Sequence, residues 1–217
     1  GVNYLREHVM DDVRIHYAYL NAGGSSANAV QAEASLYYFI RAFDQDILDQ
    51  TVERVIKIAQ GAALMCETTL DYYEDASCAA LLPNEVLSKT VYQHLKNLEP
   101  LEYSDSALDF IKGYNPNTDP LTKVAPYSID QKSYTSTDVG NVSQQVPTCQ
   151  FFLACEPFNC PMHSWQWVAN GKSDFAHEGI VKAASVLTKT ALSCIYDPQI
   201  IEDARKEFNL RKEKKYV

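Results

Sequence analysis

Two histidines near the end of the chain are the first residues whose type and spacing could support chemistry. His163 and His177 lie fourteen residues apart in the segment PMHSWQWVANGKSDFAHEGI, residues 161–180. A neutral imidazole can bind Zn²⁺ or Mn²⁺, and it can also move protons near neutral pH. Either residue could equally be an ordinary polar side chain, with His163 satisfied by the backbone of a loop and His177 placed in the first turn of a helix. Residue type alone leaves both interpretations open.

Cysteines offer a second candidate for metal binding. Cys155 and Cys160 precede His163 closely in sequence, and the three could form a small metal knuckle. The spacing is irregular, no CxxC pair occurs and a fourth ligand is missing, so we do not favour this interpretation. A chain of 217 residues is too long for a disulfide scaffold, and its six cysteines predict reduced thiols in a cytoplasmic protein.

Composition excludes several classes of function. The formal net charge is −9 at pH 7, which argues against nucleic acid or an anionic membrane surface as the main partner. No stretch approaches eighteen consecutive apolar residues, so the sequence predicts no membrane-spanning helix. A hydrophobic fraction of 46% is sufficient for a packed core.

The first 83 residues predict an arrangement of mixed helices and strands. Helical spacing of apolar residues alternates with segments rich in β-branched and aromatic residues. Asp44 is placed to cap the longest helix of this part. If one strand preceded the others, the order would be the βαββαβ of a ferredoxin-like sandwich. The predicted elements are a helix end at 1–9, strands at 13–24 and 32–43, a helix at 44–66 and a strand at 68–76.

A second unit is predicted to begin at residue 84. Asn84 can cap the helix that follows it, and Pro198 suits the first turn of the last helix. Residues 99–135 have little periodicity and predict a long loop region with one short helix. The other predicted elements are a helix at 84–98, the short helix at 106–114, a buried strand CQFFLAC at 149–155, a helix at 174–196 and a last helix from residue 198.

Seven segments in matching order resemble one known family. These segments are GVNYLREHVMDDVRIHY, GGSSANAV, RVIKIAQGAALM, LLPNEVL, STDVGNVS, MHSWQ and EFNLRKEKKYV. The family is that of metal-dependent amidohydrolases and peptidases, which includes carboxypeptidase G, aminoacylases and indole-acetyl-amino-acid hydrolases. Each segment is weakly specific alone, but the ordered set covers nearly the whole chain.

The resemblance implies a division into two domains. Residues 1–83 would be most of a ferredoxin-like lid and dimerisation domain whose first strand is missing. Residues 84–217 would be the C-terminal part of a catalytic α/β domain, and the larger first part of that domain would lie outside this chain. The implied assembly is a homodimer formed through the lid, or a complex with a partner subunit.

The resemblance also implies roles for six residues. His163, in an HS motif, would be a metal ligand, with Asn170 following at the spacing seen in related hydrolases. Asp138 in STDVG and His177 could support the metal site indirectly, although an Asx-turn for Asp138 and a helix-cap position for His177 remain open. On the lid, Arg41 would pair with the substrate carboxylate and the Asn28 amide would bind the scissile group. His16 could line the same site or be an ordinary strand residue.

The implied chemistry is metal-assisted hydrolysis of the amide bond of an N-acyl amino acid, such as p-aminobenzoyl-glutamate, or of a short peptide. Zn²⁺ or Mn²⁺ would activate a water molecule, and a glutamate would act as general base. That base and most metal ligands are expected outside this chain, since no HxD motif and no Glu-Glu pair occurs here. We therefore expect the chain alone to bind metal poorly and to be inactive. The alternative is a non-catalytic dimerisation or binding module.

Overall fold

The computed structural model describes residues 1–116, 123–129, 133, 135–157 and 159–213, with the side chain of residue 213 excepted. The chain is mixed α and β, with a small two-stranded sheet and several helices. It forms two compact units, each described by itself below. Unit 1 contains residues 1–81 and the described residues of 132–141, and unit 2 contains the rest. The assignment of residues 1–83 and 84–217 to a lid and a catalytic domain stays a prediction.

Unit 1 is built from a β-hairpin and two helices. Its elements are α1 (Val2–Arg6), β1 (Arg14–Asn21), β2 (Ser35–Arg41) and α2 (Gln45–Met65). The strands pair antiparallel, with Ile15 opposite Ile40, and they carry alternating side chains to opposite faces of the sheet. Asp44 caps α2, since its side chain accepts from the N–H groups of Asp46 and Ile47. This cap confirms the helix start that the sequence predicts.

One face of the hairpin packs against both helices and makes the core of unit 1. Burial of these apolar side chains is the main force that holds the hairpin to α1 and α2. The buried members are Val2, Leu5, Val13, Ile15 and Val55, and Val9, Tyr38, Ile40, Ala42, Ile47 and Ile58 pack around them.

The strand predicted at 68–76 is wrong. These residues have no regular secondary structure, and most of them are exposed. A strand needs a neighbouring backbone, and within the described residues the sheet contains only β1 and β2. The hydroxyl of Tyr37 on β2 does reach Asp75 Oδ2, at 3.4 Å. The order α1-β1-β2-α2 is as expected, but the ferredoxin-like sandwich is not confirmed.

Unit 2 is mainly helical. Three helices, α3 (Glu85–Lys96), α7 (Asp174–Tyr196) and α8 (Pro198–Glu213), pack on one another in pairs. The other helices are α4 (Asp105–Tyr114) and α6 (Trp165–Asn170). The short helix α5 (Val139–Ser143) begins in unit 1 and ends in unit 2, since the boundary between the units falls after residue 141. The core of the unit includes Val91, Ile111, Phe175, Val186 and Phe208.

The start of α3 is fixed by side chains from two helices. Asn84 Oδ1 accepts from Leu87 N at 3.0 Å, as the sequence predicts. Glu207 on α8 accepts from the N–H groups of Glu85 and Val86, at 2.8 and 3.0 Å, and pairs with Arg211 at 2.7 Å. A carboxylate at this position satisfies otherwise unpaired donors and interacts favourably with the helix dipole.

The strand predicted at 149–155 is also wrong for this chain. An isolated parallel bridge between Pro83 and Thr148 is the nearest regular pairing, and residues 149–155 themselves form no strand.

The short helix predicted at 106–114 is confirmed as α4, whereas α5 and α6 were not predicted. Residues 117–122, 130–132 and 134 of the predicted loop region lie outside the described residues. Within the described part of the chain, no helix is long and apolar enough to cross a membrane.

Candidate functional site

The hairpin of unit 1 presents one face that the helices do not cover, which we call the open face. Because Ile15, Tyr38 and Ile40 point into the core, residues of the opposite parity point away from it. Most of them are exposed, and Arg41 is half-buried. The open face consists of Arg14, His16, Ala18, Tyr37, Phe39 and Arg41.

Two arginines lie directly opposite each other on the open face. The strand register pairs Arg14 with Arg41 and His16 with Phe39, so His16 neighbours Arg14 along β1 and lies diagonally across from Arg41. The Arg41 guanidinium stacks 4.5 Å from the centre of the Phe39 ring, which holds its planar fork against the sheet. Two cations on one rigid face attract an anion such as a carboxylate. Sequence analysis proposed Arg41 and His16 but missed Arg14, although its position two residues before His16 on an alternating strand is a visible signal.

Asn28 lies in the exposed loop between β1 and β2. Its Oδ1 accepts from the hydroxyl of Ser26 at 2.9 Å, so the amide orientation is set by the loop itself. At the base of the loop, Asn21 Oδ1 accepts from Gly23 N at 2.8 Å and forms a tight Asx-turn. The amide group of Asn28 can therefore donate to a ligand, while its oxygen is already engaged.

The turn that contains Asp138 is held by its neighbours. Thr137 Oγ1 accepts from Val139 N at 3.3 Å, so the threonine side chain closes the turn, and the Asp138 carbonyl accepts from Asn141 N at 3.0 Å. Gly140 lies so close to residue 79 that a Cβ would come within 1.9 Å of the Ala79 carbonyl oxygen. The STDVG motif thus has a structural reason for its glycine, and the Asp138 carboxylate is exposed beside it.

His163 occupies an unusual backbone conformation in unit 2. Its φ is +58°, in the left-handed region that costs a residue with a side chain about 1–2 kcal/mol. Ser164 fixes the turn, because its hydroxyl donates to Pro161 O at 2.6 Å and accepts from Trp167 N at 3.3 Å at the start of α6. The imidazole is exposed, with its ring centre 6.4 Å from that of Trp167. Glu67 and Asn159 share this left-handed conformation, so a metal-binding role for His163 stays a prediction.

His177 lies in the first turn of α7, as the sequence predicts. Its backbone N–H donates to Ser173 O at 3.1 Å, and its side chain is exposed. Ser173 caps the helix through a bond from Ala176 N at 3.1 Å. A supporting role for His177 at a metal site stays a prediction.

Asn170, which follows His163 at the expected spacing, is completely buried. Its Nδ2 donates to the Cys155 carbonyl, and its Oδ1 accepts from the hydroxyls of Tyr114 and Ser173, both at 3.4 Å. Burial raises the pKa of Tyr114, and Cys160 nearby adds to this, so the phenol stays a donor. The amide of Asn170 is therefore a structural tie between α4, α6, α7 and the segment that ends at Cys155.

The described residues do not assemble a complete metal site. Among residues 1–116, 123–129, 133, 135–157 and 159–213, no group of three or more His, Cys, Asp and Glu side chains comes together. The metal knuckle of Cys155, Cys160 and His163 is thus not formed within that part of the chain. Burial raises the pKa of the Cys155 and Cys160 thiols, and Glu156 raises both further, which disfavours the thiolate that a metal needs.

A histidine and a serine meet at a groove of about 450 Å³ along α7, which the sequence did not predict. His94 Nε2 lies 2.9 Å from Ser193 Oγ. The serine hydroxyl donates its single hydrogen to Lys189 O at 3.0 Å, so His94 donates to the hydroxyl instead of accepting from it. This arrangement does not activate Ser193 as a nucleophile.

The chain is similar to curated hydrolases. No family model matches it. It is 34% identical to one of the subunits of p-aminobenzoyl-glutamate hydrolase from Escherichia coli, over 95% of this chain and 50% of that protein. It is also 26% and 25% identical to the Xaa-Arg dipeptidases of mouse and human, over 97% of this chain and 44% and 43% of those proteins.

These matches confirm the resemblance to amidohydrolases and peptidases. The relatives are named as enzymes, so this chain is related to hydrolases along nearly its whole length. It spans about half the length of the curated relatives it matches.

Proposed function

We propose that this chain is part of a metal-dependent amidohydrolase that cleaves the amide bond to an amino acid with a free carboxylate. The relatives are named for p-aminobenzoyl-glutamate and for Xaa-Arg dipeptides. These molecules share an amide bond to the nitrogen of an amino acid and a negatively charged α-carboxylate. The observation that supports the proposal best is the cross-strand pair Arg14 and Arg41 on the open face, with His16 at the next position of β1 on the same face.

The open face would bind the carboxylate end of the substrate. The guanidinium of Arg41 can donate two parallel N–H bonds to a carboxylate, and Arg14 adds a second positive charge opposite it. His16 lies beside them on the same face, and Asn28 in the adjoining loop can donate from its amide. These residues would orient the substrate, and none of them is placed to act as the general base.

His163 is proposed as one ligand of a Zn²⁺ or Mn²⁺ ion. Its exposed imidazole on a strained turn suits this role, and Asp138 and His177 would support the site without direct contact. When bound in the complete enzyme, the ion would lower the pKa of a water molecule. The described residues supply one such ligand and no cluster, so they do not fit a metal by themselves, and we derive no catalytic step on this chain.

The complete enzyme would have the ferredoxin-like lid and the dimer that its motifs imply. Within the part of the chain that the structure describes, β1 and β2 each have one strand neighbour, so each has one edge that could pair with further strands or with a second copy. All six cysteines are free, which suits the cytoplasm.

Carboxylate binding by the open face can be measured on the chain alone. We expect p-aminobenzoyl-glutamate to bind weakly in a calorimetric or NMR titration. Replacement of its glutamate by the diamide should weaken binding by roughly tenfold or more, because charge-assisted hydrogen bonds are lost. Arg41→Ala should weaken binding of the glutamate form to a similar extent.

Lys57→Ala is the matched control, since Lys57 is an exposed cation on α2, away from the open face. It should leave binding unchanged. Equal binding of the acid and the diamide, or equal loss in Arg41→Ala and Lys57→Ala, would contradict the proposed site. Hydrolysis by the purified chain with added Zn²⁺ or Mn²⁺ would contradict our expectation that the chain alone is inactive.

A further inference from the structure

The open face of unit 1 carries opposite charges at its two ends. The strand register arranges its residues in three rows, which are Arg14 with Arg41, His16 with Phe39, and Ala18 with Tyr37. The first row is the positive end. At the third row, the Tyr37 hydroxyl donates to Asp75 Oδ2 at 3.4 Å, which brings a carboxylate to the opposite end. A ligand that matches both ends must therefore have an anionic acceptor at one end and a hydrogen-bond donor at the other.

The segment that carries Asp75 is anchored beside β2. Residues 68–82 have no regular secondary structure, but the segment makes hydrogen bonds with distant parts of unit 1. Ala80 N donates to Gln45 Oε1 at 3.2 Å, five residues after the contact between Asp75 and Tyr37. Because Gln45 begins α2 shortly after β2 ends, the segment follows β2 from Tyr37 towards the far end of the strand. The position of Asp75 is thus fixed by bonds on the segment itself.

The surface between the two charged ends is aromatic. Phe39 and Tyr37 occupy neighbouring rows on β2, and each is 40% exposed. The Arg41 guanidinium stacks on the Phe39 ring but leaves this part of the ring accessible. Ala18 lies opposite Tyr37, and its small side chain adds no bulk to the third row. Exposed rings in this position favour a flat aromatic group in the middle of the ligand.

The distance between the two ends selects the length of the ligand. The first and third rows are four residues apart along each strand, which corresponds to about 13 Å. In p-aminobenzoyl-glutamate, the aromatic amine and the α-carboxylate are about 10 Å apart by standard bond lengths. A hydrogen bond of about 3 Å then closes the remaining distance. A dipeptide of two small residues has its amine only about 6 Å from its carboxylate, so it does not span the rows.

We propose that Asp75, held by Tyr37, is a specificity-determining residue that accepts a hydrogen bond from the aromatic amine of a p-aminobenzoyl amino acid. The α-carboxylate binds at Arg14 and Arg41, and the benzoyl ring lies against Phe39. A carboxylate can accept several hydrogen bonds through its two oxygens, so Asp75 can bind the amine and keep its bond from Tyr37. This inference rests on the proposed function, because it names the acyl group for the same site.

The test compares two ligands that differ only in the amine, p-aminobenzoyl-glutamate and benzoyl-glutamate. Each is titrated into the 217-residue chain by calorimetry or NMR. We expect wild type to bind the amino form roughly fivefold more tightly, which is the effect of one hydrogen bond to a charged group on an exposed surface. Asp75→Ala should abolish this preference. Tyr37→Phe should reduce it, because it removes the hydroxyl that holds Asp75.

Asp71→Ala is the matched control, since Asp71 is an exposed acid on the same segment. It should keep the full preference for the amino form. The preference is a ratio of two dissociation constants for one variant, so the change in net charge affects both constants and cancels. Asp75 is exposed, so its replacement should leave the circular dichroism spectrum unchanged.

Three outcomes would overturn the proposal. One is equal binding of the two ligands by wild type. Another is an unchanged preference in Asp75→Ala. The third is an equal loss of preference in Asp71→Ala and Asp75→Ala, which would remove any specific role for Asp75.

The proposed function fails separately. Equal binding of p-aminobenzoyl-glutamate and its diamide would contradict the carboxylate site itself. Tighter binding of the acid than of the diamide, without any preference for the amine, would leave the proposed function standing and overturn only the role of Asp75.

Discussion

The helices α2 and α7 have similar lengths, 21 and 23 residues, but the side chains that they expose to solvent differ in character. On α2, the buried residues Thr51 and Val55 lie on one side, and the other side carries charged residues such as Glu53 and Lys57, both about 70% exposed. On α7, the outer side carries exposed aliphatic residues such as Leu187 and Ile195 beside the exposed polar residues His177 and Thr188. Amphipathic α2 thus buries one stripe within its own unit, whereas α7 also leaves large aliphatic residues exposed to water.

The two units also differ in the kind of surface that they leave exposed. Unit 1 places its helices on one face of the hairpin and leaves the open face, with its two arginines, uncovered by them. Unit 2 leaves an apolar helix side and a segment of backbone without pairing among the described residues. Exposed cations suit small anions, and exposed aliphatic surface suits another polypeptide.

The largest effect should come from truncating the inner side of α7. Phe175 is 1% exposed and stacks on Tyr103, with ring centres 4.1 Å apart. Phe175→Ala should lower the free energy of unfolding by about 3–5 kcal/mol, measured by urea denaturation, because it removes buried contacts and leaves a cavity.

Phe152→Ala is the matched control, since this phenylalanine is 84% exposed. It should change the free energy of unfolding by less than about 0.5 kcal/mol. Comparable losses of unfolding free energy in both variants would show that Phe152 is buried within the chain. The contrast between a buried Phe175 and an exposed Phe152 would then be wrong.

Two helical glycines sharpen the comparison between α7 and α2. Gly179→Ala places a Cβ 2.8 Å from Ala154 O and 2.9 Å from Cys155 Sγ, so we expect a loss of about 1–3 kcal/mol from overpacking. Gly61 of α2 has no atom within 4 Å of the corresponding position. Gly61→Ala should therefore stabilise the protein by about 0.5–1 kcal/mol through helix propensity.

Thermal or urea unfolding of both variants measures these changes. The essential result is that Gly179→Ala lowers the stability of the protein and Gly61→Ala raises it. If Gly179→Ala were also stabilising, residues 154–155 would not pack closely against α7.

The smallest effect concerns pH and a thiol near α7. Burial raises the pKa of Cys149, and Cys194 on α7 raises it further. The protonated thiol thus stabilises the folded state fully below the ordinary thiol pKa of about 8.5. This contribution is lost as the pH rises towards the folded pKa, since the unfolded thiol ionises first.

Urea midpoints at several pH values from neutral to alkaline measure this effect. Wild type should lose more stability than Cys149→Ala as the pH rises. Cys66→Ala, which removes an exposed thiol at the end of α2, controls for the loss of one cysteine. A Cys149→Ala curve parallel to wild type would show that this thiol does not contribute.

Local signals predicted the helices well. Asp44 and Asn84 each accept from the first free N–H groups of the helix that follows, and Pro198 begins the last helix, all within a few residues of sequence. The positions of His16 on a strand and His177 in a first helical turn were predicted for the same reason. Such interactions depend on neighbours in the chain, and these are visible in the sequence.

Strands and site geometry needed the tertiary structure. Residues 68–76 and 149–155 have strand-like composition but no strand neighbours among the described residues, and a strand exists only with a partner. The register of the hairpin put Arg14 opposite Arg41, and the packing of the core chose which face stayed open. The sequence thus determined the helix boundaries and the family resemblance. Long-range pairing and burial decided which side chains share a face, because both depend on residues far apart in the chain.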